Sequence, residues 1–166
     1  MAAVRLLCLD VDGVLTDGAL YFTETGREIK TFSSQDGHAL KMLASTGVAT
    51  AIITGRATRL VARRARELGI DHLYQGARDK RVAFDALLAR TGLDASMVAH
   101  VGDDIPDLPI LVRAGLAVAP GNLNPAIRPY VHHVTTAAGG AGAVRELCEL
   151  IMRVQGTWDA ALAPYL

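Results

Sequence analysis

Two carboxylates stand one residue apart at Asp10 and Asp12, after a short apolar run that includes Leu6 and Leu9 and just before Gly13. If extended backbone carries through this segment, residues two apart face the same way, so both acids point into one site while Val11 faces the core. Like charges at that spacing repel unless a proton or cation sits between them. An all-oxygen pair suits a hard divalent ion, and Mg²⁺ is the expected one. A carboxylate so placed can attack phosphorus and form an aspartyl phosphate, dividing one hard displacement into two easier steps. Its neighbour can protonate the leaving oxygen and later take a proton from water. A bare Asp-x-Asp also caps turns, so the reading depends on what the rest of the chain brings to the same place.

The other residues able to take part lie at the ends of apolar runs. Thr54 closes Thr50–Thr54, and Asp103 follows Met97–Val101 and Gly102. Lys80 opens a helical period that Asp79 caps and Gly92 ends. Strands are expected at Arg5–Leu9, Thr50–Thr54, His72–Tyr74, Met97–Val101, Leu116–Ala119 and Val131–Thr135. Helices are expected from an Asp36 cap to Thr46, over Ala57–Leu68 and Lys80–Thr91, over a short Asp107–Ala114, and from about Gly142 to Gln155. A brief helix covers Pro125–Tyr130. The last long helix carries the stripe Val144, Leu147, Cys148, Ile151 and Val154. Ala19–Phe22 and Glu28–Phe32 flank Thr25-Gly26 and predict a β-hairpin. Strands alternating with helices give an α/β fold, a parallel sheet with helices on both faces. Ligands of such sheets gather at the carboxyl ends of the strands, where Asp10, Asp12, Thr54 and Asp103 fall.

Composition narrows the function classes. The chain has 166 residues, enough for one domain, with 51% apolar and 5% aromatic residues and a formal net charge of zero. No basic stripe points to nucleic acid, and no polybasic run points to a membrane surface. The arginines between Arg59 and Arg66 sit at helical spacing and read as a solvated face. Cys8 and Cys148 lie in apolar runs and read as buried free thiols. No apolar run approaches the ~18 residues of a membrane span, no signal peptide is expected, and a reducing cytoplasm is the simplest location.

The run Asp10-Val11-Asp12-Gly13-Val14-Leu15-Thr16-Asp17-Gly18 resembles the first motif of the haloacid dehalogenase superfamily. Ile52-Ile53-Thr54-Gly55-Arg56 resembles the second, Lys80 the third, and Gly102-Asp103-Asp104-Ile105-Pro106-Asp107 the fourth, in the right order. The resemblance implies a Rossmann-like three-layer fold. It makes Asp10 nucleophile and metal ligand, Asp12 the general acid/base with its carbonyl on the metal, and Asp103 a further ligand of Mg²⁺. Thr54 and Lys80 would bind phosphate. Asp104 and Asp107 would stand behind the ligands, holding water or orienting Lys80. Gly55 and Arg56 would meet the substrate, Arg56 through an anionic group, although an arginine there can also pair with a surface acid.

Between Asp12 and Thr54 there is too little chain for a cap domain. The chain therefore resembles the capless subgroup, and within it the tetrameric phosphatases that release an eight-carbon keto sugar acid for lipopolysaccharide. That implies a small phosphorylated sugar acid as substrate and a homotetramer built by the hairpin 19–32. The glycine-rich segment Gly139–Gly142 and a C-terminal tail, 156–166, would help gate the site of a single domain spanning 1–166. Two other readings stay open: a phosphatase for a nine-carbon keto acid or another sugar phosphate, and a noncatalytic tetramerisation domain of the kind fused to sialic acid activating enzymes. Departures from the subgroup are Ser33-Ser34-Gln35 before Asp36 and Ala141 in place of the arginine of the glycine-rich segment. His38, His132 and His133 match no catalytic position and read as structural or surface residues.

Overall fold

Leu6–Leu9 forms strand β1, and all four residues are buried, as a run apolar on both faces requires in a sheet covered on both sides. In the computed structural model, which describes residues 1–70 and 72–166, the elements follow in chain order. They are β2 (Tyr21–Phe22), β3 (Glu28–Ile29), α1 (Ser34–Ser45), β4 (Ala49–Ile53), α2 (Arg59–Leu68), β5 (His72–Tyr74) and α3 (Lys80–Thr91). After them come β6 (Val98–Val101), α4 (Leu108–Leu111), β7 (Leu116–Ala119), β8 (His133–Val134), α5 (Ala143–Val154) and α6 (Trp158–Leu162). Six strands form one sheet in the order β5-β4-β1-β6-β7-β8, and every pair is parallel.

Alternation along β1 divides the core. Leu7 and Leu9 face α1, α2 and α5, joining Leu40, Leu43, Val61, Leu147 and Ile151. Leu6 and Cys8 face the other way, joining Ile53, Phe84, Leu87 and Ile110 beneath α3 and α4. The expected α/β architecture is therefore present, and α3 has the expected bounds, with Asp79 accepting from the Arg81 amide at 3.0 Å and Gly92 closing the helix at φ +67°. Among the described residues no helix is long and apolar enough to cross a membrane. Cys8 and Cys148 are free and buried.

Several local expectations are corrected. Ser33, not Asp36, caps α1, accepting from the Asp36 amide at 3.2 Å. Asp36 lies inside the first turn and serves another helix. Its carboxylate accepts from the Arg145 amide at 2.8 Å and the Gly142 amide at 3.4 Å, at the start of α5, whose own N-cap is a glycine with no side chain to offer. Helix α2 starts at Arg59 because Thr58 caps it, accepting from the Val61 amide. Pro106 and Pro109 split the helix expected over Asp107–Ala114 into a 3₁₀ turn, Ile105–Asp107, and the short α4. In α5 the buried stripe ends on Met152, and Val154 is exposed. The hairpin pairs only Tyr21 with Ile29 and Phe22 with Glu28. Leu20, Tyr21, Phe22 and Ile29 are exposed on it.

Residues 156–166 are folded on their own chain. Trp158 packs against the core, with the Arg153 guanidinium 4.4 Å from its ring centre. Beyond α6, the Tyr165 ring meets His38 of α1 edge-on at 5.1 Å.

Candidate active site

The carboxyl ends of β1, β4 and β6 meet at one place, and Asp10, Thr54 and Asp103 follow them. Extended backbone stops at Leu9. Asp10 still donates its amide to the Val101 carbonyl at 3.0 Å, and then the chain coils. The Val11 carbonyl takes the amides of Leu15 at 2.9 Å and Thr16 at 3.0 Å. The two acids therefore do not lie along a continuing strand. Asp10 points into a buried cluster, whereas Asp12 is half-buried and its carboxylate pairs with Lys30, just past β3.

Asp10, Asp103 and Asp107 form the cluster, each offering an oxygen within 4.8 Å of the others. Glycines make the approach possible. Gly13 sits at φ +83°, and a Cβ there would overlap the Asp103 carboxylate; one on Gly102 would overlap Asp107. Lys80 is buried against the cluster, 2.9 Å from Asp10 Oδ2 and 2.7 Å from Asp107 Oδ1. The fully buried His100 of β6 also reaches Asp107 Oδ1, at 3.1 Å through Nε2. Asp10, Asp12, Asp103, Asp104, Pro106, Asp107 and Gly18 line an open hollow of about 240 Å³ above these groups.

Three carboxylates against one ammonium leave negative charge in excess. Burial, then the charges of Asp107 and Asp10, push the Asp103 carboxyl up to about 7. Burial and Asp107 likewise raise Asp10, against the pull of Lys80. Burial opposes ionisation of Asp107 too, but the His100 hydrogen bond and the Lys80 charge outweigh it and hold that carboxyl below its ordinary value. Burial works against the Lys80 cation, yet Asp107 and Asp10 raise its pKa. Asp10 Oδ1 and Asp107 Oδ2 are buried and have no hydrogen-bond partner among the described residues. Orphaned oxygens, an all-oxygen donor set and uncompensated negative charge fit a hard divalent cation.

The remaining expected residues separate. Thr54 is buried at the end of β4, its amide donating to the Tyr74 carbonyl at 2.9 Å. Gly55 is exposed beside it. Arg56 reaches Glu28 of the hairpin at 2.9 Å, and Glu28 also lies 3.4 Å from Lys30. Asp104 is exposed and accepts from the Asn124 amide group at 2.7 Å, while the Lys80 ion pairs among the described residues are with Asp10 and Asp107.

Sequence reasoning missed four residues: His100, Lys30, Glu28 and Asn122. The Asn122 amide group donates to the Gly13 carbonyl at 3.0 Å, and its oxygen accepts from the Gly139 amide at 2.6 Å. It thereby clasps the glycine-rich segment to the turn after Asp12. Glu146 braces the residues just before that segment, accepting from the amides of Thr136 at 3.0 Å and Ala137 at 3.1 Å. A polar residue in the otherwise apolar Val98–Val101 was the available signal for His100. Nothing local marks Lys30, Glu28 or Asn122, whose partners are distant in the chain.

Comparison with known proteins points the same way. The haloacid dehalogenase-like hydrolase family matches residues 29–115. The 3-deoxy-D-manno-octulosonate 8-phosphate phosphatase of Yersinia pestis is 44% identical over 160 residues, 96% of this chain and 86% of that protein. Its Escherichia coli K12 counterpart is 45% identical over 158 residues, 95% and 84% of the two. Among solved structures, a probable phosphatase of Pseudomonas syringae is 53% identical, with a TM-score of 0.96 over 99% of this chain and 93% of that one. The Moraxella catarrhalis 3-deoxy-D-manno-octulosonate 8-phosphate phosphatase, solved with a magnesium ion, a phosphate ion and a KDO molecule, is 42% identical, with a TM-score of 0.96 over 99% and 95%.

Proposed function

The chain belongs to the haloacid dehalogenase-like hydrolases, and from that premise we propose that it hydrolyses 3-deoxy-D-manno-octulosonate 8-phosphate to the free sugar acid and phosphate. The observation that carries this reading is the meeting of Asp10, Asp103 and Asp107 around Lys80 under one open hollow. Relatives named for that activity match nearly all of this chain and so support the choice of substrate. Neither the nine-carbon substrate nor the noncatalytic assembly domain is favoured by any relative described above.

In the proposed mechanism Asp10 attacks phosphorus, the bond to the sugar oxygen breaks, and an aspartyl phosphate forms. Asp12 gives its proton to the leaving oxygen and then takes one from the water that hydrolyses the intermediate. Lys80 and the Thr54 hydroxyl hold phosphoryl oxygens, while Gly55 and Arg56 meet the sugar acid, Arg56 through its anionic groups. Asp10, the Asp12 carbonyl and Asp103 would hold Mg²⁺, with Asp104 and Asp107 behind them. When bound, the ion neutralises charge on the reacting oxygens and polarises phosphorus for attack.

The whole of 1–166 acts as one capless domain in this reading. The hairpin within 19–32 joins four copies through its exposed Leu20, Tyr21, Phe22 and Ile29, a patch with no cover in the single chain. The tail 156–166 and Gly139–Gly142 gate the site, and the reaction serves lipopolysaccharide synthesis in the cytoplasm.

The test is a panel of phosphorylated sugar acids, with phosphate release followed while Mg²⁺ is omitted and restored. Preference for the octulosonate phosphate, lost on chelation, is expected; no such preference would reject the substrate. Asp10→Asn should lower turnover at least ~10³-fold with assembly intact. Unchanged turnover would remove Asp10 as nucleophile.

A further inference from the structure

His100 is fully buried, yet nothing in the mechanism above uses it. It stands opposite Cys8 on one neighbouring strand and Ala117 on the other, on the sheet face covered by α3, the helix that Lys80 opens. Its Nε2 lies 3.1 Å from Asp107 Oδ1, the same oxygen that receives Lys80 Nζ at 2.7 Å. Asp107 is held ionised, and a carboxylate only accepts, so Nε2 carries the hydrogen and donates it. Lys80 in turn divides its contacts between Asp107 and Asp10 Oδ2.

We propose that His100 is a positioning residue for phosphoryl transfer: it fixes the Asp107 carboxylate and so aims Lys80 at the nucleophile and the incoming phosphoryl group. The inference rests on the roles proposed for Asp10 and Lys80. Oδ1 accepts from both donors at once, through different lone pairs. The imidazole N–H, as a second donor, holds the carboxylate in the orientation from which Lys80 also reaches Asp10 Oδ2. Without that donor the carboxylate is free to turn and carry Lys80 away from the reacting oxygens.

Plain core packing does not account for the residue. The cluster on this face is built from Leu, Ile, Val, Ala, Phe and Cys, and an apolar side chain would fill the same space. The imidazole instead leaves Nδ1 buried with no hydrogen-bond partner among the described residues, a cost that the bond to Asp107 offsets.

Three variants test this with steady-state kinetics: His100→Leu, His100→Gln and His100→Asn, each checked for parental oligomer size and melting temperature. The Gln amide can place a donor near the position of Nε2, and the shorter Asn cannot reach it. Leu and Asn should lower kcat roughly tenfold to a hundredfold, the scale of one hydrogen bond to a charged group, with KM changed less than about threefold. Gln should stay within about threefold of the parent. A Leu variant with parental kcat, or a Gln variant as slow as Asn, would overturn the proposal. If Leu fails to fold, the Gln and Asn pair decides alone. If the parent releases no phosphate from the octulosonate phosphate, the proposed function fails instead, and the same comparison is read with p-nitrophenyl phosphate.

Discussion

Removing one charge from the acid cluster should stabilise the protein without metal and destabilise it with metal. Asp103→Asn is the perturbation, since its carboxyl rises from an ordinary 3.8 to about 7, chiefly through burial and then through Asp107 and Asp10. That rise of roughly 3, at 1.36 kcal/mol for each tenfold step, sets a ceiling of about 4 kcal/mol. Asp103 is only partly buried, so solvent screening lowers the usable figure to about 2 kcal/mol. The sign follows from proton binding. The raised pKa means that the folded chain holds its proton where the unfolded chain has released it. The stability this supplies is complete below about pH 4 and is lost as pH rises through about 7. Asn keeps the neutral form at every pH. Melted in chelator at equal protein concentration, parent and variant should coincide near pH 4. They should separate steadily up to pH 7, then hold a gap of about 4–8 °C in favour of Asn. With Mg²⁺ at about a hundred times its dissociation constant, the parent should gain ~2.7 kcal/mol and the variant far less, reversing the order. A chelated variant that melts below the parent at pH 8 would refute the account of the cluster as uncompensated negative charge.

Asp36→Ala removes both amide contacts at the start of α5 and should destabilise the chain by about 1–3 kcal/mol in urea titration, with no increase in m-value. Leu20→Ser combined with Phe22→Ser should shift the sedimentation profile to smaller species while the secondary structure stays parental, because both side chains are exposed in the single chain. Deleting residues 156–166 should lower stability through loss of the Trp158 and Tyr165 contacts and should change kcat or KM. Lower stability with parental kinetics would make the segment a brace and not a gate.

The parallel architecture was legible because β1, β4, β6 and β7 are short, mostly apolar runs that alternate with helical periods, and α3 carries its start signal, Asp79, and its stop signal, Gly92, in sequence. The hairpin arms were overread because an isolated ladder has little to hold it beyond Tyr21 and Phe22. Asp36 misled for a physical reason. An acid in a first turn usually serves its own helix, and only packing brings α5 close enough to take it over. The cluster was legible as far as Asp10, Lys80, Asp103 and Asp107, whose motif spacing carries the geometry. Asp12 was placed in the right hollow for the wrong reason, since the chain coils after Leu9 and its carboxylate turns to Lys30. His100 stood out only as a polar residue in an apolar strand, while Lys30 and Asn122 act through partners set by tertiary structure, and no local pattern encodes such pairs.

β1 occupies the middle of the sheet. β1 finds β4 on one side once residue 53 has been synthesised, but β6, its other neighbour, is complete only at residue 101. Those 48 residues take roughly 2–10 s at ordinary translation rates. Throughout that interval a nascent chain carries Leu6–Leu9 with one raw flank of unpaired amides and carbonyls, open to any extended peptide nearby. Ribosome-bound chains halted between those two points should therefore be the ones most in need of a chaperone.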